Sequence, residues 1–195
     1  MELIDSELLE GALKEFLRTG YGGTSITQIV RKLGISKTTF YSRYPSKDAL
    51  FRAIISCQTE RLSGDTGLQV NGKWLELETG LRAYANRTLE ISLEGELREV
   101  NLLIDSEVRR FPELGAAAAE RTRLGIVRIA DFITRCSERD AIPVRDAKII
   151  AEAYICMLRG WYVNILLTNE SVDATAREAW VERAVHTLVS GRAEW

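Results

Sequence analysis

Apolar residues recur at helical spacing from one end of this chain to the other. Leu9, Ala12, Leu13, Phe16 and Leu17 form one stripe, which Gly20 stops. Ser25 to Gln28 reads Ser-x-x-Gln, a capping box, and Ile26, Ile29, Val30 and Leu33 follow on one face until Gly34. Ser36 can cap a third short helix, with Phe40 and Tyr44 four apart on its inner side. After Pro45-Ser46, Leu50, Phe51, Ile54 and Ile55 stripe a longer helix over 47–62, and Ser63 to Gly72 reads as a linker. Five longer helices are predicted over 73–92, 96–110, 113–138, 145–168 and 173–190. No segment alternates with period two, and no repeat is visible. The pattern predicts an all-α protein of about nine helices: a small N-terminal three-helix domain over 1–46, joined through helix 47–62 to an antiparallel bundle within 47–195.

Composition narrows the chemistry. Hydrophobic residues are 46% and charged residues 28% of 195, which excludes disorder and fibrous repeats. No apolar run approaches a membrane span, and Met1 opens on Glu2, Leu3, Ile4 and Asp5 instead of a basic leader, so a cytoplasmic protein with no membrane partner is expected. Cys57, Cys136 and Cys156 are far apart, and His186 has no thiol or acidic neighbour at ligand spacing; no metal site and no cofactor are expected. The cysteines read as buried thiols, with a redox role as the alternative. No nucleophile–base pair has supporting context, and Gly20-Tyr21-Gly22-Gly23 follows a helix pattern instead of a strand, so it reads as a helix stop, not a phosphate loop. An enzyme is not expected.

Charge changes the picture more. The chain carries −2 overall, yet Arg31, Lys32, Lys37, Arg43, Lys47 and Arg52 face a single acid, Asp48, within about twenty residues. A solvated helix face gives the same count. The geometry of residues 25–44 bears on the choice: two short helices about a glycine-centred turn describe a helix-turn-helix. With Ile26, Ile29, Val30, Ile35, Phe40 and Tyr44 inward, Lys37, Thr38, Tyr41 and Ser42 lie on the outer face of the second helix. Such side chains suit base edges, the thymine methyl and phosphates, and no acid stands among them. Lys47, in the first turn of the next helix, can join free N–H groups in holding a phosphate. An αα-hairpin with only a packing role is the alternative.

The run from Ala12 through Gly20-Tyr21-Gly22-Gly23-Thr24-Ser25 and Leu33-Gly34-Ile35-Ser36-Lys37-Thr38-Thr39-Phe40-Tyr41-Ser42-Arg43-Tyr44-Pro45-Ser46-Lys47 to Phe51 resembles the DNA-binding domain of the tetracycline-repressor (TetR) family, without a gap over residues 8–55. The family's aromatic pair and the lysine opening its fourth helix match Tyr41, Tyr44 and Lys47. Thr38 replaces a small residue, often glycine, and Arg43 stands where many members carry histidine. Phe111-Pro112-Glu113-Leu114 recurs in one large subgroup. The resemblance implies a DNA-binding set of Ser25, Ser36, Lys37, Thr38, Thr39, Tyr41, Ser42, Tyr44 and Lys47 on a pseudo-palindromic duplex. It also implies a homodimer joined by the last two long helices, and a small-molecule pocket in each C-terminal domain.

The C-terminal helices carry compatible patterns. Ile149, Ile150, Ala153, Tyr154, Met157, Leu158, Trp161, Ile165 and Leu166 make a stripe too broad for one core contact, and Ala151, Ala153 and Gly160 would let a helix approach closely. Coverage of both faces within one subunit is the alternative. Helical spacing groups Trp74, Leu81 and Tyr84, then Leu103, Glu107 and Phe111, then Tyr154 and Trp161, as pocket candidates; such aromatic stripes also make ordinary core. The expected function is a ligand-responsive transcriptional repressor released from its operator by a small molecule. The alternatives are a DNA-binding activator or architectural protein without an effector, or an enzyme or carrier using the C-terminal cavity.

Overall fold

The computed structural model describes residues 2–61, 67–93 and 95–195, with side chains for 6–57, 67–93 and 98–195. Nine helices run in order among them. They are α1 (Glu2–Gly23), α2 (Ile26–Leu33), α3 (Lys37–Tyr41), α4 (Lys47–Arg61), α5 (Leu77–Leu93), α6 (Gly95–Glu107), α7 (Pro112–Asp140), α8 (Ala147–Thr168) and α9 (Ala174–Ser190). The all-α architecture read from the periodicity is the observed one. Residue 62, the expected end of the fourth helix, and residues 63–66 of the expected linker lie outside the described residues. Its remainder opens a small antiparallel hairpin, β1 (Gln69–Val70) and β2 (Lys73–Trp74), with Val70 opposite Lys73. Asn71 and Gly72 both take positive φ, 52° and 75°, which is the two-residue turn that matches strand twist. The helix expected over 73–92 therefore starts at Leu77, and Trp74 sits on a strand, not on the α5 face. Strands of two residues are too short to show alternation, so the pattern could not reveal them.

The chain packs as two compact units, one of residues 1–64 and 99–115, the other of 65–98 and 116–195. The first gathers Leu13 and Phe16 of α1, Ile29 of α2, Phe40 of α3 and Leu50, Phe51 and Ile54 of α4 into one core. Val100 and Leu103 of α6, Phe111 and Leu114 complete that same core. Phe16, Tyr21, Phe51 and Phe111 meet in stacked, edge-to-face and tilted pairs at centroid distances of 4.9–5.6 Å, the stacked and edge-to-face pairs each adding about 0.5–1.5 kcal/mol beyond area burial.

The second unit is a bundle of α5, α7, α8 and α9. Leu81, Ala85 and Leu89 of α5 meet Ile129, Phe132 and Ile133 of α7, Tyr154 and Leu158 of α8, and Val181 and Val185 of α9. Buried Tyr154 donates its hydroxyl to the Leu81 carbonyl at 2.6 Å, which satisfies the one polar atom it brings inside. Gly80 leaves room for the Phe132 ring, whose nearest atom would lie 2.3 Å from an added Cβ. α8 is long and apolar enough to cross a membrane. Here it is a bundle helix, with Ala151, Tyr154, Ile155, Leu158, Ile165 and Leu166 turned inward. Its other face, Ile149, Ala153, Cys156, Gly160, Asn164 and Leu167, is exposed, with Ile149 at 59% and Leu167 at 78%. Ala151, read as part of a close-approach face, belongs to the interior instead. Only Cys136 of the three cysteines is buried; Cys57 is half-buried and Cys156 exposed, against the expectation of three buried thiols. Burial pushes the Cys136 thiol above its usual range, so it stays protonated and inert.

Candidate nucleic-acid interface

The helix-turn-helix is built by local hydrogen bonds that the sequence specifies. Ser25 Oγ accepts from the Gln28 amide at 3.2 Å while Gln28 Oε1 accepts from the Ser25 amide at 2.7 Å, closing the expected capping box on α2. Gly34 ends α2 at φ 66°, a conformation that a side chain disfavours, and the Ile35 amide donates back to the Val30 carbonyl at 3.0 Å. Ser36 then caps α3, its Oγ accepting from the Thr39 amide at 2.9 Å. Phe40 is the one fully buried residue of α3.

That single anchor leaves the rest of α3 turned outward. Lys37, Thr38, Tyr41 and Ser42 are exposed, Tyr41 at 51%. Ser42 Oγ donates to the Thr39 carbonyl at 2.8 Å, and Thr39 Oγ1 lies 2.9 Å from Ser36 Oγ, so both hydroxyls already have partners on the turn. Tyr44 is half-buried against the first core, its ring 6.4 Å from that of Phe40. Ser25 and Ser36 are exposed caps. The nine candidates therefore fall on one stretch of chain in the first unit.

The charge seen along the sequence is partly spent inside the protein. Lys32 donates to Glu15, and Arg52 to Glu113. Arg31 and Lys37 are exposed and form no ion pair among the described residues. Lys47 is the most constrained cation. Its Nζ donates to the Tyr21 and Thr24 carbonyls, each at 2.8 Å, and lies 4.1 Å from the Tyr21 ring centroid. Burial, and then the neighbouring Arg110 charge, pulls its pKa below the ordinary lysine value. An ammonium has three donors; two are committed here and one is left. Ser46 caps α4 beneath it, accepting from the Ala49 amide at 3.0 Å.

The pocket candidates divide between the units. Leu103, Glu107 and Phe111 belong to the first, where Leu103 and Phe111 are buried in its core. Trp74, Leu81, Tyr84, Tyr154 and Trp161 belong to the second. There Trp74 packs on Phe132 at 5.9 Å and Trp161 stacks on Trp180 at 4.4 Å. Leu81 and Tyr154 are fully buried. Tyr84 is half-buried 6.1 Å from the Tyr154 ring, and its hydroxyl would stand 2.9 Å from a Cβ added at Gly125. Burial raises its pKa, keeping it a neutral donor.

Tyr21 was not among the sequence candidates, which read its glycine-flanked position only as a helix stop. Gly20 does leave helical geometry, at φ 70° and ψ 168°, and the break turns Tyr21 wholly inside. Its hydroxyl donates to Asp48, one residue beyond Lys47. Nothing local in the sequence pairs position 21 with 47, 48 or 111.

Comparison with known proteins agrees with this architecture. A model of the tetR family of bacterial regulatory proteins matches residues 8–54, and a model of the C-terminal domain of AefR-like transcriptional repressors matches residues 79–190. The HTH-type transcriptional repressor ComR of Escherichia coli K12 is 22% identical over 160 residues, covering 80% of this chain and 76% of ComR. Two solved structures share the fold. A proposed TetR-family regulator from Mesorhizobium loti has a TM-score of 0.77 at 24% identity over 95% of each chain. The flavonoid-responsive regulator FrrA has a TM-score of 0.75 at 24% identity, over 98% of this chain and 97% of its own. With one family model on the helix-turn-helix and another on most of the bundle, the chain belongs to the TetR family of transcriptional regulators and is not an enzyme.

Proposed function

We propose that the protein is a homodimeric, cytoplasmic repressor that leaves its operator when a small molecule binds the second unit. The observation that carries the DNA-reading part is the outer face of α3: Lys37, Thr38, Tyr41 and Ser42 exposed beside one buried anchor, with no acid among them. In this reading α3 enters the major groove, and Thr38 and Ser42 meet base edges. Ser25, Ser36, Thr39 and Tyr44 line the rim, and Lys47 uses its remaining donor on a backbone phosphate. The exposed apolar face of α8 supports pairing of two copies, which would give a two-fold protein for a pseudo-palindromic operator. Tyr84, the half-buried polar aromatic of α5, is the proposed effector contact, in keeping with the family's usual response to small molecules.

Lys47→Ala tests the phosphate contact. Binding to every duplex should weaken, and the log–log salt slope should flatten by about one unit. Thr38→Ala and Ser42→Ala should instead change which operator is selected from a random pool. A Lys47→Ala protein with unchanged affinity and slope would remove Lys47 from the interface.

A further inference from the structure

We infer that Tyr21 and Phe111, which lie outside the helix-turn-helix, are positioning residues for the DNA contact made by Lys47. The inference rests on the reading of Lys47 as a phosphate ligand and adds what holds that ligand in place. A lysine at an exposed helix start ordinarily samples many rotamers, and fixing it costs side-chain entropy at the moment of binding. Lys47 has already met that cost. Its ammonium is held by the Tyr21 carbonyl in the last turn of α1, by the Thr24 carbonyl just beyond it and by the face of the Tyr21 ring, three contacts that converge on one nitrogen.

One of the two carbonyls is Tyr21's own, and the other follows it three residues on. The chain leaves helical geometry at Gly20, and the turn through residue 24 is held by the inward Tyr21 side chain together with the Thr24 amide, which donates to the Tyr21 carbonyl at 3.4 Å. Its ring is wedged among Phe16, Phe51 and Phe111, and its hydroxyl is tied to Asp48. Thr24 adds a hydroxyl bond to the Gly20 carbonyl at 2.8 Å. Phe111 closes the wedge from the far side at 5.0 Å. It comes from the corner between α6 and α7, some sixty residues after Lys47 in sequence, and Arg52–Glu113 fastens that corner to α4. Arg110 lies over the Tyr21 ring as well, 4.6 Å from its centroid. The position of one DNA-facing ammonium is thus set by an aromatic wedge that includes α6–α7 residues.

The test uses the full-length protein and a random-sequence duplex of about 30 base pairs, because a phosphate contact is independent of sequence. Affinity and salt slope are measured for wild type, Tyr21→Leu, Tyr21→Phe, Phe111→Leu, Lys47→Ala and the Tyr21→Leu/Lys47→Ala double variant, with a thermal melt of each. Tyr21→Leu should weaken binding by about two- to fivefold, the size of a lost cation–ring contact, and lower the salt slope. Tyr21→Phe, which keeps the ring, should restore both. The double variant should bind as Lys47→Ala alone, because a residue that acts through Lys47 has nothing left to position; a merely structural loss would persist there. Phe111→Leu should move the slope in the same direction and decides the matter if Tyr21→Leu does not fold. If Lys47→Ala lowers the slope while the folded Tyr21 and Phe111 variants keep it, the positioning role is overturned and the phosphate reading of Lys47 stands. If Lys47→Ala itself changes nothing, both fall.

Discussion

Glu15 is a carboxylate with 3% of its surface exposed, inside a unit whose function calls for positive charge. It accepts from Arg18 Nη2 at 2.9 Å and from Lys32, so it ties α1 to α2. Arg18 first, then Lys32, hold its carboxyl below the usual 4.5. A depressed carboxylate adds stability that is present above its unfolded pKa and lost as pH falls through the folded value. Glu15→Gln should therefore lower the melting temperature at neutral pH and shrink the further drop seen on acidification. Melts recorded by circular dichroism between pH 7 and about pH 3 check this. A variant with the wild-type pH profile would exclude Glu15 from the acid transition. The same residue shows what a local reading misses. Six bases against one acid counted along residues 31–52 left out Glu15 and Glu113, which lie 17 and 61 positions from the cations they neutralise. Caps were legible for the opposite reason, since Ser25 with Gln28 and Ser36 with Thr39 act within one turn.

Among the elements, α8 is the one whose sequence pattern asks for more than one partner. Its apolar stripe resolves into two faces. Leu158 is 2% exposed within the bundle, whereas a Cβ on Gly160 would meet nothing within 4 Å. Substitutions two positions apart should thus do different things. Leu158→Asp places a carboxylate in an apolar core and should cost about 3–5 kcal/mol, enough to melt the second unit. Gly160→Glu should leave the chain folded and, by putting charge on the exposed stripe, shift sedimentation from dimer to monomer. A folded, dimeric Gly160→Glu protein would move the pairing face elsewhere. Periodicity showed that α8 was unusually broad, but not which residues turned inward, because that depends on where α5, α7 and α9 lie. Aromatic spacing had the same limit. It marked Trp74, Leu103 and Phe111 as residues to be covered, yet Trp74 covers Phe132 from a hairpin and Phe111 completes the wedge around Tyr21.

At the scale of the whole molecule, the proposed regulation is a statement about linked equilibria. A dimer presenting two copies of α3 needs them to reach successive major grooves on one face of the duplex, about 34–36 Å apart. An effector releases such a dimer only by binding better to the form that does not satisfy that spacing. The coupling is reciprocal: whatever factor the effector takes from operator affinity, the operator takes from effector affinity. A factor of 100 corresponds to about 2.7 kcal/mol. Once a screen for operator release yields an inducer, calorimetry with and without a saturating operator duplex should give two inducer dissociation constants. Their ratio should equal the ratio of operator affinities measured with and without inducer. Tyr84→Phe, which removes the hydroxyl near Gly125, should weaken inducer binding while leaving operator affinity without inducer as in wild type. Unchanged inducer affinity in Tyr84→Phe would place the effector elsewhere, and unequal ratios would mean that release proceeds by some route other than a shift between two forms of one dimer.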